Sequence, residues 1–198
     1  MKRLTGRARW FDHPNAVQAA PLVRRWLADP GSMTFKLRAR CDELRVQRLR
    51  QRPGNALADE CVVLGLTPRQ AVEERDVILH CDGHPVVFGH TVTPLASAAA
   101  WPFFRRLGNR PLGASLFSDP LVVRAPIQFA RLHAGHPLVR RACQALGPDA
   151  VPLQQLPLFA RRSLFCRHGS FMLVTDVFLP ALSKLMVLNM THFDVSNR

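Results

Sequence analysis

Apolar and polar positions alternate along this chain with two periods. Across residues 19–29, Leu22, Trp26 and Leu27 recur at helical spacing, and Asp29-Pro30-Gly31-Ser32 then ends the helix. Ser32 is placed to cap a second helix running from Thr34 to about Cys41. Leu44, Val46 and Arg48 instead alternate with polar neighbours, which predicts a strand followed by a surface turn at Arg52-Pro53-Gly54-Asn55. The strongest hairpin signal follows, with two β-rich runs, residues 77–81 and 86–92, flanking Asp82-Gly83. An alanine-rich helix is expected over residues 96–107 and a strand over 121–124. A weaker helix over 132–146 is broken at His136-Pro137. A second hairpin joins residues 161–167 to 171–179 around His168-Gly169, and the tail beyond Pro180 is apolar but short. Strands that keep pairing through tight turns, with helices inserted between them, predict an α+β fold: a single domain around a central antiparallel β-sheet. There is no internal repeat, and no regular strand-helix alternation of the kind a nucleotide-binding parallel sheet requires.

Composition narrows the class. A chain of 198 residues with 47% apolar and 21% charged residues can build a core in one domain, 1–198. The net charge of +13 invites a nucleic-acid or anionic-membrane partner. Yet the only lysines are Lys2, Lys36 and Lys184, so the excess is spread arginine, which coding bias also produces; the same field would attract a small dianion. Cys41, Cys61, Cys81, Cys143 and Cys166 form an odd set without a C-x-x-C pair, so free thiols in a reducing compartment are expected. Neither a signal-type apolar segment nor a membrane-length run is present, which sets the expected location in the cytoplasm without stable membrane insertion.

Several candidate chemistries fail on their own residues. Residues 108–115 have the glycine spacing of a phosphate-binding loop, but Ala114 stands where its lysine would be and Pro111 removes a donor. His80/His84 and His133/His136 have metal-compatible spacings, but the first pair spans a predicted turn and the second runs into Pro137. Neither Ser32 nor Ser163 has a glycine-framed elbow, and no cysteine sits in an activating motif.

Four ordered blocks carry more. They are Trp26-Leu27 with Gly31-Ser32-Met33-Thr34; Glu74-Arg75-Asp76-Val77-Ile78-Leu79 leading to Asp82-Gly83; Arg110-Pro111-Leu112-Gly113 with Leu116-Phe117; and Arg161-Arg162-Ser163 followed by Val174-Thr175-Asp176-Val177-Phe178-Leu179-Pro180. Together, over about residues 20–180, they resemble the chorismate lyase family. The resemblance implies helical loops closing over an internal ligand cavity, and elimination of pyruvate from chorismate to give 4-hydroxybenzoate, the first step of ubiquinone biosynthesis. It implies no metal or organic cofactor and a monomer whose partner is the small-molecule substrate, with no nucleic acid expected. It also implies site residues. Arg75 would bind a substrate carboxylate, for which a planar, always-charged guanidinium is suited. Asp176, where the family has glutamate, would contact the hydroxyl end, and Met33 and Leu112 would close over the ring with backbone groups as polar contacts. Arg124 and Arg162 would add positive potential without being ligands.

Two other functions compete. The same sheet architecture resembles the ligand-binding domain of some transcription regulators, so a non-catalytic small-molecule-binding module of the same fold is one alternative. A basic nucleic-acid-binding protein is the other, although aromatic residues make up only 8% and no recognition motif is present.

Overall fold

The computed structural model describes residues 6–150 and 157–193. Its strands are β1 (Trp10–Phe11), β2 (Leu44–Asn55), β3 (Ala71–Cys81), β4 (His84–Pro94), β5 (Val122–Arg124), β6 (Gln128–Leu132), β7 (Leu158–Arg167) and β8 (Ser170–Phe178). The α-helices are α1 (Pro21–Leu27), α2 (Met33–Arg38), α3 (Ala58–Leu64), α4 (Leu112–Ser118), α5 (Pro137–Leu146) and α6 (Leu182–Phe193). All strand pairs are antiparallel, in the order β1-β6-β7-β8-β4-β3-β2, with β5 continuing alongside β7 beyond β6. The α+β architecture expected from the pattern is therefore the architecture found.

Both predicted hairpins form, because their turn residues accept the left-handed backbone that a two-residue turn needs to follow the strand twist. Asp82 and Gly83 have φ of 49° and 78°, and His168 and Gly169 have 49° and 72°. Side chains alternate between two faces of the sheet, and both faces are covered. On one, Val77 and Leu79 of β3 pack with Trp26 and Leu27 of α1, Leu37 of α2, and Leu182, Leu185 and Met186 of α6. Farther along that face, Leu112 and Leu116 of α4 join Trp101, Phe104, Phe165 and Met172. On the other, Ile78, Phe88, Ala160 and Val177 meet Leu138, Val139 and Ala142 of α5.

Three expectations are corrected, and the tail gains an element. Arg52-Pro53-Gly54-Asn55 lies at the surface but continues β2 as strand; β2 ends the sheet, and an edge strand tolerates proline because its outward N–H needs no partner. The alanine-rich segment forms two short 3-10 turns, Leu95–Ala100 and Phe104–Arg106, in place of one α-helix. Pro102 forces Trp101 out of helical geometry, to φ −117° and ψ 63°, and burial of Trp101, Phe104 and Leu107 outweighs alanine's propensity. His136-Pro137 does not break a helix but starts one. His136 Nδ1 accepts from the Leu138 N–H at 3.2 Å, Pro137 takes the first helical position, and before them Leu132 ends β6 and residues 133–135 form a turn. The apolar tail is helical as α6, with Leu182, Leu185 and Met186 buried at spacings of three and four.

Candidate active site

Strand register builds the floor of a cavity on the α2/α4 side of the sheet. Arg75, Thr91, Val174 and Ser163 stand in one row across β3, β4, β8 and β7; Val77, Gly89, Asp176 and Arg161 stand in the next. Because each pair along a strand is two residues apart, all eight lie on one face, and all eight line the cavity. Gly89 keeps the middle of the floor bare: a Cβ there would come within 2.9 Å of Val77 Cγ2. The roof is made by the starts of α2 and α4, which contribute Ser32, Met33, Thr34, Leu112, Gly113 and Leu116. These helices approach closely because Gly113 has no side chain; a Cβ there would collide with Ser32 Oγ.

The structure brings Arg75, Asp176, Met33 and Leu112 to the same cavity. Arg75 is 2% exposed, and its Nη2 donates to the carbonyls of Gly108 and Arg110, both at 3.0 Å. Its Nε is buried without a partner. The two glutamates that precede it in β3 are engaged by other arginines, Glu73 by Arg105 and Glu74 by Arg50 and Arg141. Burial, assisted by Arg48, pulls the Arg75 pKa down to about 10, which leaves it charged at neutral pH. Met33 and Leu112 each open a helix, so their backbone N–H groups have no intrahelical acceptor.

Asp176 is partly buried, and its Oδ2 accepts from Arg161 Nε at 3.0 Å. Arg161 in turn donates Nη1 to the Asp29 carbonyl at 2.6 Å and Nη2 to that of Gly31 at 3.4 Å, tying the α1–α2 loop to the floor. Arg124 reaches the same loop: Nη1 donates to the Pro30 carbonyl and Nε to Ser163 Oγ at 2.9 Å. Its pKa is also pulled down to about 10, by burial and then by Arg161. Of the Arg161-Arg162 pair, Arg161 carries its guanidinium on the cavity face, opposite Asp176. Arg162 turns to the opposite face, where it stacks over Trp10 at 4.1 Å and donates to Gln128 and the Asp59 carbonyl. The signal that separates them is the two-residue period: Arg161 lies directly across from Asp176.

Behind the floor, on the second face, lies a buried ionic cluster. His90 Nδ1 is 2.5 Å from Asp76 Oδ1 and Nε2 is 2.9 Å from Glu60 Oε1, while Arg50 and Arg141 hold Asp76 and Glu74. Burial alone would lower the His90 pKa, but Glu60 and Asp76 raise it to about 10. This cluster fixes the segment of β3 that carries Arg75. The histidine pairs do not converge on a metal-type site: His80 bonds Gln47 at 2.9 Å, His136 caps α5, and His84 and His133 are exposed.

The model of the chorismate lyase family matches residues 4–187. A probable chorismate pyruvate-lyase from Cupriavidus metallidurans is 48% identical over 178 residues, covering 89% of this chain and 82% of that protein. One from Aromatoleum aromaticum is 40% identical over 177 residues, covering 89% of this chain and 94% of its own length. Among solved structures, the effector domain of PhnF from Mycobacterium smegmatis aligns with a TM-score of 0.51 at 20% identity, covering 76% of this chain and 90% of that one. That likeness concerns the fold alone.

Proposed function

Since the chain belongs to the chorismate lyase family, whose members are lyases, we propose that this cavity converts chorismate into 4-hydroxybenzoate and pyruvate. The observation that carries the reading is Arg75, a buried cation without a carboxylate partner among the described residues, set at one end of a cavity whose floor also bears Asp176. A guanidinium in that state calls for an anion, and the ring carboxylate supplies one. With that group on Arg75, the ring lies across β4, where Gly89 leaves room. The hydroxyl then reaches Asp176, either directly or through a water that makes up for the methylene an aspartate lacks relative to glutamate.

The chemistry asks for little else. The ring carbon bearing the hydroxyl loses a proton, the adjacent ring carbon releases the ether oxygen with the bonding electrons, and the departing enolpyruvate is protonated to pyruvate. Aromatisation drives the step, so the protein's task is to hold one conformer and steady negative charge on the leaving group. The same reading includes one domain acting as a monomer in the cytoplasm, at the first step of ubiquinone biosynthesis, without metal or organic cofactor. The test is to incubate the purified chain with chorismate in the presence of a chelator and quantify both products. Equimolar 4-hydroxybenzoate and pyruvate above a no-enzyme control is the expected result; a folded sample that releases neither would overturn the proposal and favour a binding module of the same fold.

A further inference from the structure

We propose that Arg124 is a second carboxylate-binding residue, which holds the carboxylate of the departing enolpyruvyl group. The proposal rests on the reading of the cavity as a chorismate site. It begins from charge balance. The charged residues lining the cavity are Arg75, Arg124, Arg161, Arg162 and Asp176. Arg161 and Asp176 neutralise each other, and the Arg162 guanidinium lies on the opposite face. What remains is Arg75 and Arg124, neither of which forms an ion pair among the described residues. Two unbalanced cations in a partly dry cavity are costly unless a ligand brings two negative charges, and chorismate is a dianion.

Geometry selects Arg124 over its neighbour. All three nitrogens of the Arg161 guanidinium are committed, to Asp176 and to the Asp29 and Gly31 carbonyls. Arg124 commits Nη1 and Nε to Pro30 and Ser163, which leaves Nη2 open. Its guanidinium is further set by the rings of Phe117 and Phe165, each 5.5 Å away, so an incoming carboxylate meets a preorganised donor. The register supplies the spacing. Ser163, which anchors Arg124, ends the row that Arg75 begins, three strand spacings or roughly 14 Å away between backbones. Asp176 lies on β8, between the two arginines. Read across the strands, the floor presents a carboxylate site, a hydroxyl site and a second carboxylate site; chorismate carries its hydroxyl para and its enolpyruvyl ether meta to the ring carboxylate, on adjacent carbons, so with the ring carboxylate on Arg75 both groups fall on the half of the ring toward Asp176 and Arg124.

Product and substrate differ at the second carboxylate, and that difference gives the test. Expected for Arg124→Gln is a KM for chorismate raised about tenfold or more, with the Kd for 4-hydroxybenzoate within about twofold of the parent, and partial recovery of KM in Arg124→Lys. Equal weakening of substrate and product would mean that Arg124 serves only to fasten the α1–α2 loop, and an unchanged KM would mean that it touches no substrate; either overturns the proposal. A ligand pair keeps the test independent of how the variant folds. The parent protein is titrated with 3-carboxymethoxybenzoate and with the methyl ester of its side-chain carboxyl. The acid should bind about tenfold or more tightly than the ester, whereas equal affinities would overturn the assignment. Failure of the parent to turn over chorismate would instead count against the function proposed above, and is read separately.

Discussion

Replacing Arg75 by alanine removes a charge that no protein carboxylate balances, so the fold loses two hydrogen bonds to loop carbonyls while the proposed ligand loses its charged partner. Truncating one side of a buried, charged hydrogen-bonded pair costs about 2–5 kcal/mol. The kcat/KM of Arg75→Ala for chorismate should therefore fall by roughly 30-fold or more, with the circular-dichroism spectrum retained; parental turnover would remove Arg75 from the site. At position 176, the alanine variant should lose activity. The glutamate variant should keep it, since its carboxylate still meets Arg161 and reaches farther over the floor. Equal activity of both variants would make the aspartate irrelevant to the reaction. Arg75 and Asp176 were legible as candidates because each sits in a block that resembles the family, and strand pairing brings both to one cavity. Arg161 and Ser163 were visible only as parts of a block, because their use depends on which way β7 faces, and that is fixed by pairing with β8.

Two helix starts make the roof, and their spacing rests on one missing methyl group. Gly113→Ala places a Cβ against Ser32 Oγ, so α2 and α4 must separate; overpacking of this kind typically costs about 1–3 kcal/mol. The melting temperature should fall, and adding Ser32→Ala should restore much of it by removing the obstructing oxygen. A melting temperature unmoved by Gly113→Ala would show that the roof yields freely. At this scale the hairpins were legible because Asp82-Gly83 and His168-Gly169 state their turn geometry locally. The 3-10 segments around Trp101 were not, since alanine propensity is local while the burial of Trp101 and Phe104 depends on α4 and β8 lying nearby. Nor were β1 and β6, short strands whose pairing partners are remote in the chain.

Across the whole molecule, a sheet covered on both faces must bury the polar residues of its central strands, and the His90 cluster is how this one does so. Its raised pKa fixes the sign of a pH effect. The folded value of about 10 lies above the ordinary 6.5, so the stabilisation from charged His90 is complete below about pH 6.5 and is lost as pH rises through about 10. His90→Gln should lower stability by about 3–5 kcal/mol near neutrality, because Asp76 and Glu60 lose their shared cation. The deficit relative to the parent should shrink in melts above about pH 10; a constant deficit would show that His90 is neutral in the fold. The covering of both faces also leaves the sheet open only at its ends, and β2 is one of them. Arg45, Arg48 and Arg52 are exposed along it, Pro53 offers no donor, and the Arg48 N–H is occupied by Asn109 Oδ1 at 3.1 Å. A strand from another molecule would meet like charge and a broken ladder of donors there. Part of the arginine excess thus works against aggregation, guarding the edge of the sheet at the concentrations at which a protein must stay dissolved.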